Sequence, residues 1–273
     1  MQTVKPTEEK PGPGSDFSPK GKTPFRACSL GNCRNSMKKN IPNFITLINL
    51  FLGCCALASI MYGQFVQAFF FSLASGVADF LDGTMARLLK VKSDFGTQLD
   101  SLADMVSFGV VPGAILYILL VKGFSGREVL PIELTLAAAP AFLVTLFAAI
   151  RLAIFNIDEC QSENFIGMPT PSVTMFCVGL LLIYHFDSFG MGSLVTQPYF
   201  LYPVIALLSW LMVARFPMFG MKFKSLSWEG NEIRFIFAAS ALLMMLLLRE
   251  ASFSLIVLAY ILFSTIDNYV LKH

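Results

Sequence analysis

Charge is what this chain has least of. Only 14% of its 273 residues are Asp, Glu, Lys or Arg, where a soluble domain carries roughly 25%. With 55% hydrophobic residues and a mean hydropathy of +0.67, too little polar surface remains to solvate a globule of this size. That excludes a water-soluble enzyme and leaves a polytopic membrane protein, built as a single membrane domain. Histidine is scarcer still, at two residues, His185 and His273. The six cysteines (Cys28, Cys33, Cys54, Cys55, Cys160 and Cys177) contain no C-x-x-C pair. A zinc site would need two further ligands near Cys28 and Cys33, and none is there, so all six read as structural residues. Period-two alternation is absent as well, which excludes a β-barrel.

What is present is a succession of long apolar runs. Eight helices are expected near 41–62, 64–90, 97–121, 132–157, 170–186, 197–215, 233–249 and 252–271. Each is long enough for a hydrocarbon core of roughly 30 Å at about 1.5 Å per residue. The last two are separated only by Arg249, Glu250 and Ala251, which predicts a tight hairpin. Residues 1–37, rich in Pro, Gly, Ser and Lys without an apolar period, read as a disordered basic arm, and 38–273 as the transmembrane domain. No signal peptide is read, since the first apolar run begins near residue 41 without a cleavage site. The segment 222–234 reads as an interfacial loop, with Trp210 and Trp228 as interfacial anchors.

Seventeen of the twenty Lys and Arg residues fall on one side of this arrangement, the side that holds the arm. The positive-inside rule therefore puts both termini in the cytoplasm. A basic arm in that position is expected to be drawn to anionic lipid, at about 1 kcal/mol per basic residue. No nucleic-acid partner is expected.

Against this apolar background, the stretch "DFLDGTMARLLKVKSDFGTQLDSLAD" (79–104) holds five aspartates. Asp79 and Asp82 are three residues apart, and Asp100 and Asp104 four apart, so each pair occupies one face of its helix. A short polar turn joins the two helices and lets the faces meet. Asp79 lies eight residues from Arg87, about 12 Å along the axis, so the site belongs near the cytoplasmic headgroup boundary. Each carboxylate costs roughly 2.5–3.5 kcal/mol at the bilayer centre on insertion scales. One or two divalent cations would offset both that cost and the mutual repulsion. Hard oxygen donors suit Mg²⁺ or Mn²⁺, completed by phosphate oxygens.

The residues between the aspartates favour a phosphate ligand. Gly83 and Ala86 leave room against the helix, and Arg87 offers a fork of donors to a diphosphate. Ser93 supplies a hydroxyl, and Gly96 opens the returning helix. The plainer alternative makes the aspartates helix-end charges in water, paired with Arg87, Lys90 and Lys92; Asp94 is read that way. A second alternative, an intramembrane cation transporter, would need charges near the midplane.

Written with its gaps, D-x2-D-G-x2-A-R-x8-G-x3-D-x3-D from Asp79 to Asp104 resembles the motif of the CDP-alcohol phosphotransferases, with every element present. The resemblance implies a helical membrane bundle, commonly a homodimer, that moves a phosphoalcohol group from a CDP donor to an alcohol. It implies two metal ions on Asp79, Asp82, Asp100 and Asp104, with Asp104 also the general base. Gly83, Ala86, Arg87 and Ser93 would bind the CDP moiety.

Further segments resemble the bacterial-type phosphatidylserine synthases of that family. These are "IPNFITLINLFLG" (41–53), "SFGVVPG" (107–113), "RLAIFNI" (151–157) and "NFIGMPTPS" (164–172). By that likeness Asn43 and Thr46 would help hold the nucleotide, Arg151 would receive the serine carboxylate, and Asn156 would add a polar contact. The chain departs at Ile154, where that group usually has a second Arg. The donor implied is CDP-diacylglycerol and the acceptor L-serine, in a bacterial inner membrane with the site facing the cytoplasm. Glycerol 3-phosphate and inositol phosphate remain as alternative acceptors.

Overall fold

The computed structural model describes residues 30–91, 93–126, 135–157, 165–214, 217–218 and 232–269. Within the described residues each expected segment is largely helical, and the chain is a polytopic helical membrane protein. Helix α1 (Leu30–Met61) reverses at Gly63, whose φ of +72° is open to glycine, and is followed by α2 (Phe65–Leu88). Helix α3 (Asp94–Asp104) leads through a π-helical segment (Met105–Val110) into α4 (Val111–Ser125). A 3₁₀ segment, Leu136–Phe142, precedes α5 (Leu143–Ile157); Pro140 within it lacks the N–H that an α-turn needs. Then come α6 (Thr170–Phe186), α7 (Pro198–Val213), α8 (Glu232–Leu248) and α9 (Ser252–Tyr269).

Among the described residues, five stretches are long and apolar enough to cross a membrane: Asn40–Met61, Phe65–Leu88, Asp94–Ser125, Leu136–Ile157 and Ile233–Asp267. The last is broken at Arg249, whose φ of +48° turns α8 back onto α9, the expected hairpin. At 17 and 16 residues, α6 and α7 are shorter apolar helices.

Helices α4 and α6 form the centre. Ile115, Leu116, Leu119, Cys177 and Leu181 are fully buried there. Phe44, Phe51, Phe70, Phe80, Leu146 and Leu246 point outward, each more than half exposed, as lipid-facing residues do. The extra backbone turn of the π segment leaves carbonyls that neighbouring hydroxyls take up. Thr145 donates to the Gly109 carbonyl at 2.8 Å, and Thr174 to that of Phe108 at 3.4 Å.

Two features add to what was read from the sequence. Helix α1 begins at Leu30, inside the stretch read as a disordered arm. Once a spanning helix exists, each added residue gains a hydrogen bond without a new nucleation cost, so a polar flank can continue it. Residues 1–29, most of the 222–234 loop and Trp228 lie outside the described residues. A two-residue antiparallel pairing also clasps Phe165–Ile166 (β1) to Pro217–Met218 (β2), where no strand was expected. Runs this short carry no period.

Candidate active site

The site is made by the way α2 ends and α3 begins. Lys90 takes a left-handed conformation, φ +53°, while the Val91 N–H reaches back to the Ala86 carbonyl at 3.1 Å and that of Lys90 to Arg87 at 3.2 Å. This closes α2 in a Schellman-like turn with lysine where glycine is usual. Ser93 then caps α3, its hydroxyl oxygen accepting from the Gly96 N–H at 3.0 Å. The reversal is tight, and the aspartate faces of the two helices meet.

One oxygen from each of Asp79, Asp82 and Asp100 lies within 4.8 Å of the other two. Asp100 Oδ1 is buried with no hydrogen-bond partner. Among the described residues no ion pair joins these carboxylates to Arg87 or Lys90, and Lys92 lies outside them. Helix-end charges paired with nearby bases would look different. Converging hard donors, one of them orphaned, fit a divalent cation. Asp104, one turn deeper, stands against Asp79, and its Oδ1 accepts from the Asn49 amide at 3.2 Å. Asp94 is exposed at the first turn of α3.

Beside the carboxylates is a cavity of about 520 Å³. Its wall includes Asn43, Thr46, Asp82, Gly83, Ala86, Arg87, Ser93, Gly96 and Asp100. Six residues expected to bind a nucleotide, Asn43, Thr46, Gly83, Ala86, Arg87 and Ser93, are thus brought together. Gly83 has nothing within 4 Å of where a Cβ would be, so that stretch of helix is open to a ligand. At Gly96 a Cβ would come within 2.9 Å of Asn43 Oδ1, so the glycine lets α3 approach α1. Arg87 is exposed and its guanidinium donates to Thr84 at 3.3 Å, leaving other donors toward the cavity.

The two residues expected to meet serine are placed outside that wall. Arg151, on α5, is within electrostatic reach of Asp104 and of Tyr260, and its buried Nε has no hydrogen-bond partner. Asn156 exchanges hydrogen bonds with Ser101, between Asp100 and Asp104 on α3, at 2.8 and 3.1 Å.

Three residues at the site were missed from the sequence: Asn49, Ser75 and Tyr260. Asn49 had a signal, because N-x2-T-x2-N from Asn43 through Thr46 repeats polar residues on one face of an apolar span. Tyr260 had none, since its place beside Arg151 depends on how α9 packs. His185, at the far end of α6, packs edge-on against Phe65 and Phe186, with ring centroids 5.9 and 4.8 Å away. Cys54, Cys55 and Cys177 are free; Cys28 and Cys160 lie outside the described residues.

Residues 39–215 match the model of the CDP-alcohol phosphatidyltransferase family. Among curated proteins, the chain is similar to a CDP-diacylglycerol–serine O-phosphatidyltransferase of Helicobacter pylori (strain ATCC 700392 / 26695). The two are 37% identical over 192 residues, 69% of this chain and 74% of that protein. The enzyme of the same name from Bacillus subtilis (strain 168) is 33% identical over 153 residues, 56% of this chain and 81% of its own. That of Methanocaldococcus jannaschii is 34% identical over 139 residues, 51% of this chain and 59% of its own. Helices α8 and α9 lie beyond the stretch matched by the family model.

Proposed function

The chain belongs to the CDP-alcohol phosphatidyltransferase family, and from that premise we propose that it transfers the phosphatidyl group of CDP-diacylglycerol to the hydroxyl of L-serine. The products are phosphatidylserine and CMP. The observation that carries this reading is the convergence of Asp79, Asp82 and Asp100 within 4.8 Å at the wall of the 520 Å³ cavity. The names of the similar proteins favour serine as the acceptor.

The cytidine and diphosphate occupy that cavity, held by Asn43, Thr46, Arg87 and Ser93 along the open surface of Gly83 and Ala86. The acyl chains stay in lipid beside α2. Asp104 takes the proton of the serine hydroxyl as its oxygen attacks the phosphatidyl phosphorus. The new phosphorus–oxygen bond replaces the one to the CMP phosphate, and CMP leaves with the bridging oxygen. Two Mg²⁺ or Mn²⁺ ions held by Asp79, Asp82, Asp100 and Asp104 would supply charge stabilisation to the diphosphate and to the leaving phosphate. Arg151 receives the serine carboxylate, since it is a cation within reach of Asp104 and has a free buried donor. A phosphorylated acceptor would call for further Arg or Lys there.

The site opens to the cytoplasm of a bacterial inner membrane, with both termini on that side, because basic residues crowd that face. The protein acts as a homodimer, and a mass of twice the 30.1 kDa chain in lipid nanodiscs is expected.

Purified protein supplied with CDP-diacylglycerol, Mg²⁺ or Mn²⁺ and radiolabelled serine tests the reaction. CMP release that depends on serine, with label entering lipid, is expected. Release driven instead by glycerol 3-phosphate or inositol phosphate would replace the acceptor. No release with any alcohol, but cation flux in vesicles, would replace the enzyme with a transporter.

A further inference from the structure

Asn49 is fully buried on α1 and is neither one of the cavity-lining residues nor one of the three clustered aspartates. Its polar atoms are nevertheless held from several elements. Ser75, 1% exposed on α2, donates to Asn49 Oδ1 at 2.5 Å. The Asn49 amide nitrogen donates to Asp104 Oδ1 at 3.2 Å. Ser107, 2% exposed in the π segment three residues past Asp104, donates to the Asn49 main-chain carbonyl at 3.2 Å. Four elements, α1, α2, α3 and the π segment, therefore meet at one residue. A Cβ at Gly53 would fall 2.4 Å from Ser107 Oγ, so only glycine allows that segment to come so close.

The orientation of the amide follows from the chemistry of its neighbours. Acting as a base, Asp104 is a carboxylate that can only accept, so the NH₂ faces its Oδ1. Oδ1 then faces Ser75, and the single hydroxyl proton of that serine completes the chain. Burial makes each link costly to break, because a group left unpaired here has no water to turn to.

We propose that Asn49, held in one orientation by Ser75, is a positioning residue for Asp104: it occupies Oδ1 and so fixes the direction in which the other carboxylate oxygen points. The inference rests on the phosphatidyl-transfer reading above. Its role is to aim Asp104, and its loss should lower turnover while leaving CDP-diacylglycerol in place.

The test measures kcat and KM for serine-dependent CMP release in the full-length protein, with kcat counted per radiolabelled CDP-diacylglycerol binding site. Groups that hydrogen-bond a metal-binding side chain typically carry roughly 10–100-fold in activity or metal affinity. Asn49→Ala is expected to lower kcat by about 10–100-fold with little change in the KM for CDP-diacylglycerol. Ser75→Ala, which keeps the asparagine but frees its amide to turn, should lose a smaller factor in kcat. Ser75→Thr, which keeps the hydroxyl, should recover most of it. The double variant should lose no more than Asn49→Ala alone, since both act through one contact.

A merely structural role would lower the number of binding sites and leave kcat per site unchanged; that result overturns the proposal. So does additive loss in the double variant, or failure of Ser75→Thr to restore turnover. Failure of the wild-type protein to release CMP with any alcohol would instead sink the assigned function, and is told apart by that single measurement.

Discussion

The hydroxyl of Thr46 donates to Asp82 Oδ2 at 2.7 Å, and the two residues are only 3% and 4% exposed. That bond ties α1 to the carboxylate cluster. It also gives a buried acidic group one fixed donor, so that its other oxygen has a defined direction.

Thr46→Val keeps the shape of the side chain and removes the donor. Asp82 is then left to turn, and Mn²⁺ affinity should fall about 10–100-fold, as for other partners of metal-binding groups. Titration of Mn²⁺ by electron paramagnetic resonance reads this without any turnover. Affinity equal to wild type would mean that the bond does not orient Asp82.

Asp104→Asn keeps the volume and removes the proton acceptor. Turnover should vanish while CDP-diacylglycerol binding is largely kept, because the cavity wall does not include this residue. Normal turnover in that variant would remove Asp104 from its place as the base.

Gly96→Ala probes the approach of α3 to α1. The added methyl would meet Asn43 Oδ1 at 2.9 Å and Ser93 Oγ at 3.0 Å, and both side chains line the cavity. The expected result is a raised KM for CDP-diacylglycerol with the helices still folded by circular dichroism. An unchanged KM would show that neither side chain holds the nucleotide.

Chelation should stop CMP release, and Mg²⁺ or Mn²⁺ should restore it, because every donor in the cluster is a hard carboxylate oxygen. Full activity in excess EDTA would contradict a metal role for Asp79, Asp82 and Asp100.

Lys90→Gly tests the turn. A left-handed lysine costs roughly 1–2 kcal/mol relative to glycine, which has no Cβ to clash. The variant should gain about 1 kcal/mol, read as a higher unfolding midpoint in detergent. A lower midpoint would show that the lysine side chain contributes more than its backbone costs.

Much of this protein could be read before any coordinates. Helix positions were legible because a bilayer imposes a length and an apolar composition that water does not, and Arg249–Ala251 marked the hairpin within them. The aspartates were legible because charge in such a segment is costly, and because spacings of three and four place residues on one helical face. The same logic extended to Asn49 would have found it, since its amide interrupts an apolar run on the face of Thr46.

By itself, then, the chain determined a membrane bundle of helices, a helical hairpin bearing paired carboxylates, and a gap of small residues beside Arg87. Local periodicity and the cost of burying charge act within a few turns of helix, so they leave their mark on the order of residues. Only the tertiary structure decided that Ser75 donates to Asn49 and Asn49 to Asp104, that Ser107 pins the π segment to α1, and that Tyr260 of α9 reaches Arg151. Those contacts join residues far apart in the chain, and they exist because side chains of fitting size let particular helices pack together.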